Sequence, residues 1–152
     1  MIRYPNSVAI EQSVGRTAAW LAKQVELALV SVDLSLPQYR ILGLLTEGSS
    51  MSSALAERLA VRPPSITAVV DGLVGRGLVG RRHAEDDRRR VDLVLTPKGQ
   101  KLLAGANQAV DARLAEIAGS LESAELTRRA LEGLALWREA MAAYHSAPAV
   151  AP

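Results

Sequence analysis

Between Arg76 and Arg90 the chain carries six arginines, Arg76, Arg81, Arg82, Arg88, Arg89 and Arg90, gathered around the acidic run Glu85-Asp86-Asp87. A guanidinium group offers a planar fork of N–H donors and stays charged at any physiological pH. A cluster of them does one kind of chemistry well: it binds phosphate or carboxylate. The stretch RRHAEDDRRRVDLVLTPKG, residues 81–99, sets this cluster between two segments that read as β-strands. A solubilising turn needs one or two charges, so a hairpin tip this rich in arginine is expected to touch a polyanion. The positive field is local. Residues 58–90 hold eight arginines against four carboxylates, net +4, while the whole chain is +2, which leaves −2 for the remainder.

Other chemistries find little support. The chain has no cysteine, which excludes disulfides, thiolate metal sites and thiol redox switching. Its two histidines, His83 and His145, are far apart and have no second ligand at metal-binding spacing. Glu85, Asp86 and Asp87 are contiguous in a loop and read as salt-bridge partners, not as a metal or acid/base site. No Ser-His-Asp order or paired helical carboxylates occur, and the glycine-rich GLVGRG lies at the end of a helix instead of following a strand. Neither enzymatic activity nor any metal or cofactor is expected. The first residues, MIRYPNSVAIEQ, lack an apolar secretory core, and no stretch reaches the roughly 18 apolar residues that span a bilayer. A cytoplasmic protein with no membrane partner is expected.

At 152 residues and 49% hydrophobic composition the chain can bury a core as one domain, residues 1–152. Aromatic residues make up 3% and phenylalanine is absent, so Ala, Leu and Val must fill that core, which favours helices on helices. Val14, Ala18, Leu21, Val25, Ala28 and Val32 recur at helical steps, predicting a long first helix within residues 8–33. Ser35 and Pro37 open a short second helix that Gly48 stops; Ser52 or Ser53 caps a third; Pro63-Pro64 start a fourth that ends at Gly77. The period then switches to two. Leu78-Val79 and the alternating Val91, Leu93 and Leu95 predict a β-hairpin with one buried face. Thr96-Pro97 open a long helix to about Gly119, and Ser123 caps a last one carrying Leu131, Leu134, Trp137, Met141 and Tyr144 on one face. Residues 147–152 read as a flexible tail.

Three short helices followed by a two-stranded hairpin is the order of a winged helix-turn-helix. The expected fold class is therefore mainly α (α+β): a DNA-binding module at residues 35–96, flanked by dimerisation helices at residues 8–33 and 97–146. In that arrangement the start of the third short helix enters the major groove of double-stranded DNA and the hairpin reaches the adjacent minor groove. The candidate DNA contacts are Arg62, Ser65 and Thr67 on the helix and Arg81, Arg82, Arg88, Arg89 and Arg90 on the hairpin. The competing reading is a helical interaction protein whose basic loop binds a protein partner or acidic surface.

The segments LPQYRILGLL, LAERLAVRPPSITAVVDGLVGRGLVGRR and DDRRRVDLVLTPKG resemble the MarR family of bacterial transcription regulators. The third carries the family's Asp-Arg-Arg tip, alternating strand and Leu-Thr-x-x-Gly. The resemblance implies a transcription regulator, most simply a repressor, in which Asp87 braces the wing, Arg88 enters the minor groove and Arg89 holds the wing or a phosphate. Ala68 departs from the pattern, standing where many relatives have a basic residue, and Gly72 and Gly75 are unusual inside a helix.

The apolar faces of the terminal helices exceed what the small middle module can cover, which predicts a homodimer. The resemblance implies the same, with a pseudo-palindromic operator and a small phenolic or lipophilic effector in a cleft between the dimer helices and the DNA-binding module. Trp20, Tyr39 and Arg40 are the candidate ligand contacts, because aromatic faces and a guanidinium suit an aromatic acid.

Overall fold

The computed structural model describes residues 7–48, 51–59, 62–83 and 91–146. Six helices and one hairpin follow the order α1 (Ser7–Val30), α2 (Leu36–Thr46), α3 (Ser52–Leu59), α4 (Pro63–Gly75), β1 (Val79–His83), β2 (Val91–Leu95), α5 (Pro97–Ala118) and α6 (Ala124–Ser146). The molecule is mainly helical, with one two-stranded antiparallel sheet.

Local chemistry sets most element ends. Ser35 closes a capping box on α2: its hydroxyl accepts from the Gln38 amide at 3.4 Å, and the Ser35 amide donates to the Gln38 side chain at 3.0 Å. Gly48 and Gly77 take left-handed backbone, φ 91° and 69°, where a side chain would be strained. The first helix stops two residues short of Val32. Ser31, Val32 and Asp33 form a turn whose amides bond back to Ala28, Leu29 and Val30, and Asp33 itself is left-handed, φ 52°. An Asp tolerates that conformation better than the β-branched Val before it.

The core lies where the middle helices meet the hairpin base. Leu29, Ile41, Leu42, Leu55, Leu73 and Leu78 are wholly or almost wholly enclosed, drawn from α1, α2, α3, α4 and the turn before β1. No polar or charged residue is buried among the described residues. The hairpin registers Val79 with Leu95, Arg81 with Leu93 and Arg82 with Asp92. Because facing residues share a side of the sheet, Arg81 lies on the same face as buried Val79 and Leu93, while Arg82 lies on the outer face beside Asp92.

A dense joint anchors the wing. The Thr96 amide donates to the Leu78 carbonyl at 3.1 Å, the Thr96 hydroxyl donates to the Gly77 carbonyl at 2.8 Å, and Lys98 Nζ donates to the Arg76 carbonyl at 2.8 Å. The same Thr96 oxygen accepts from the Gly99 amide at 3.0 Å, capping α5. Arg76 also reaches Asp33 at 3.1 Å. The end of α4 and the start of β1 are thereby tied to α5 and to the α1–α2 turn.

Outside this core the long helices are less covered. α1 packs along α5, joined by Arg113, whose guanidinium donates to Gln24 Oε1 at 2.8 and 3.0 Å; α6 folds back against α5. Large apolar side chains remain exposed along them, including Trp20 at 71%, Trp137 at 62% and Tyr144 at 80%.

Candidate nucleic-acid interface

Ile66, Val70 and Leu73 turn α4 into the core at steps of four and three, so the opposite face is presented outward by helical geometry alone. Ser65, Thr67, Ala68, Asp71, Gly72 and Gly75 occupy it, all exposed. Arg62 is the N-cap residue in extended conformation; it makes no side-chain capping bond, and its side chain is exposed beside Ser65. The first turn of α4 thus offers a guanidinium and two hydroxyls, a suitable surface for phosphate oxygens and base edges. Among the described residues, nothing beyond its chain neighbours and its own helix backbone lies within 4 Å of a β-carbon added at Gly72 or Gly75, so neither glycine is required by close packing.

The arginines separate by what they hold. Arg58 pairs with Glu47 at 2.7 Å and Arg76 with Asp33. Arg81 pairs with Asp71, tying the hairpin to the exposed face of α4. Arg62 and Arg82 make no ion pair among the described residues and are exposed. Asp87, Arg88, Arg89 and Arg90 lie outside the described residues.

The Arg81–Asp71 pair was not anticipated from sequence. Its one signal was that Asp71 is the lone carboxylate on α4, placed on the exposed face one turn after Thr67. Both partners are about half exposed, and such surface pairs stabilise a fold by at most about 1 kcal/mol. What the contact fixes is geometry, the angle between wing and helix.

A cleft of about 640 Å³ lies between α2, α3, α5 and α6. Tyr39, Arg40, Arg58, Asn107, Arg138 and Met141 are among its walls. Of the three residues that the sequence suggested as ligand contacts, Tyr39 and Arg40 are on its walls. Trp20 does not line it. Nine residues, roughly two and a half turns, separate Trp20 from wholly buried Leu29, which puts the indole on the outer side of α1. The Tyr39 hydroxyl donates to Asn107 Oδ1 at 2.8 Å. Burial, and then the nearby Asp111 carboxylate, push the Tyr39 phenol above its ordinary value, so it remains a proton donor. Among the described residues no group of acidic or histidine side chains is placed to hold a metal, and no helix is long and apolar enough to cross a membrane.

Comparison with known proteins points to one family. Residues 34–91 match the model of the MarR family. The HTH-type transcriptional regulator YfiV of Bacillus subtilis is 32% identical over 115 residues, spanning 74% of this chain and 70% of the relative. The HTH-type transcriptional repressor MdtR of the same species is 40% identical over a shorter region, 43% of this chain and 44% of the relative. Among solved structures, CouR from Rhodococcus jostii RHA1 bound to p-coumaroyl-CoA superposes with a TM-score of 0.65 at 25% identity, covering 85% of this chain and 90% of that one.

Proposed function

The chain belongs to the MarR family of DNA-binding transcription regulators, and from that premise we propose that it works in the cytoplasm as a homodimeric repressor, released from its operator by a small aromatic acid. The observation that carries the DNA contact is the outward face of α4, where Arg62, Ser65 and Thr67 are exposed together, with Arg82 on the outer face of the adjoining strand. Ser65 and Thr67 meet phosphates and base edges in the major groove; Arg82, Arg88, Arg89 and Arg90 serve the backbone and minor groove, with Asp87 bracing the tip. Arg81, engaged by Asp71, sets the wing at its working angle.

Titration of duplex binding with salt tests this directly. Each neutralised phosphate contributes about −0.9 to the slope of log affinity against log salt, so a steep loss is expected. A chain that barely binds duplex at low salt would instead support a helical interaction protein. Arg88→Ala is expected to weaken operator binding by more than about 1 kcal/mol without unfolding the protein, and unchanged affinity in that variant would remove Arg88 from the contact.

Dimerisation is supported by the exposed apolar side chains of α1 and α6, Trp20, Leu27 and Val30 on one and Leu136, Trp137, Met141 and Tyr144 on the other. Sedimentation at micromolar concentration is expected to give twice the chain mass; a monomer would reject the proposal. Two recognition helices about 34 Å apart fit successive major grooves of a pseudo-palindrome.

The effector reading is supported by the cleft, whose volume is within the range of small-molecule sites, and by its mixture of Tyr39, Arg40 and Arg138 with apolar Leu44, Leu59 and Met141. Its walls come from both the DNA-binding module and the dimerisation helices. A ligand that prefers one separation of those parts changes DNA affinity by that preference.

A further inference from the structure

We infer that the Tyr39–Asn107 hydrogen bond is a latch that holds the DNA-binding module against the dimerisation helix α5, and that the effector acts by taking its place. The second clause rests on the effector reading above; the first stands on geometry alone.

Tyr39 belongs to α2 and Asn107 to α5, 68 residues later in sequence. Among the described residues, theirs is the one side-chain hydrogen bond joining these two helices. Both residues line the cleft, so an entering molecule meets the bond itself. Tyr39 is half-buried, and its ring packs against the core from the edge, so the hydroxyl is held at the end of a rigid lever. Asn107 projects from the middle of a helix and is exposed. Among the described residues its side chain makes no other hydrogen bond, which makes its carbonyl easy to exchange for another acceptor.

The exchange is chemically balanced. The Tyr39 hydroxyl donates one proton to one acceptor, and a ligand carboxylate is a better acceptor than an amide carbonyl. With the ligand seated, Tyr39 donates to it and Asn107 turns to water. α2 is then no longer pinned to α5 on the cleft side, and the recognition helices lose their fixed separation. The joint stitched through Thr96, Lys98 and Arg76, none of which lines the cleft, stays closed. The movement is accordingly a swing about that joint. Arg58 and Glu47 lie on the same cleft but join α2 to α3, within the module, so their pair does not govern the separation.

A double-mutant cycle tests the latch on the ligand-free protein, using the duplex that the unmodified protein selects from random sequence. Tyr39→Phe removes only the hydroxyl, and Asn107→Leu removes the acceptor. Each is expected to weaken operator binding about fivefold, the effect of one neutral hydrogen bond, with the double variant no weaker than either single one. Melting temperatures should stay within a few degrees of the parent. Additive losses, unaltered affinity or tighter binding would each overturn the latch. A separate arm adds 4-hydroxybenzoate. It is expected to weaken operator binding by the parent protein and to have little further effect on Tyr39→Phe. If it releases both proteins equally, the exchange is wrong. If it raises the melting temperature of neither, the effector reading falls for this ligand class, and the ligand-free cycle still decides the latch.

Discussion

Gly99→Ala is expected to lower stability by about 3 kcal/mol or more, a fall in melting temperature of roughly 6–12 °C for a chain of this size. Gly99 is buried in the first turn of α5. A β-carbon there would overlap the Leu78 carbonyl oxygen and stand 3.0 Å from Leu95 Cδ2. Ordinary overpacking relaxes by sliding one element away, but here the same Leu78 carbonyl accepts from the Thr96 amide, and Thr96 also caps α5. The helix cannot withdraw without breaking both. Alanine's better helix propensity, about 1 kcal/mol, is too small to offset this. Gly72→Ala provides the contrast, since among the described residues nothing outside its own helix lies within 4 Å of the added carbon. That variant is expected to gain up to about 1 kcal/mol. Thermal unfolding at one fixed protomer concentration compares the two; equal melting temperatures would show that the joint is looser than described. Gly99→Ala should also lose operator binding at temperatures where it is still folded, because the wing hangs from that joint.

Asp71→Ala is expected to weaken operator binding by more than about tenfold, close to 1.4 kcal/mol, and the sign is what makes the result informative. Deleting a carboxylate from the helix proposed to face DNA adds positive charge, so bulk electrostatics alone predicts tighter binding and a steeper salt slope. If Asp71 acts by holding Arg81, its removal releases the hairpin from α4, and the tip arginines no longer meet the minor groove together with the helix. Arg81→Ala should then cost about as much, and the double variant little more than either single one. The pair lies about half exposed, so melting temperature should shift by only a few degrees. Tighter binding by Asp71→Ala would mean that Arg81 is itself a phosphate contact that Asp71 restrains.

Much of this is legible in the sequence. Pro63-Pro64 and Gly77 bound the recognition helix, Ser35 and Thr96 cap their helices, and the alternation of Val91, Leu93 and Leu95 produces a hairpin with Leu93 buried. These signals are local: a capping hydroxyl, a left-handed glycine or a period of two acts on backbone within a few residues, whatever the rest of the chain does. The resemblance in the wing was equally legible because its signature is contiguous.

The sequence by itself determined which helices form, in what order, and that a basic hairpin follows the third short one. Tertiary structure alone decided which arginines are committed and which are presented: Arg81 to Asp71 and Arg76 to Asp33, with Arg62 and Arg82 left exposed. It also decided that Tyr39 meets Asn107 across 68 residues and that Trp20 turns away from the cleft. The physical reason is one of range. Helix and strand are fixed by hydrogen bonds between near neighbours, whereas the partner of a long side chain depends on how whole helices are rotated and packed, and a rotation of half a turn exchanges core for solvent.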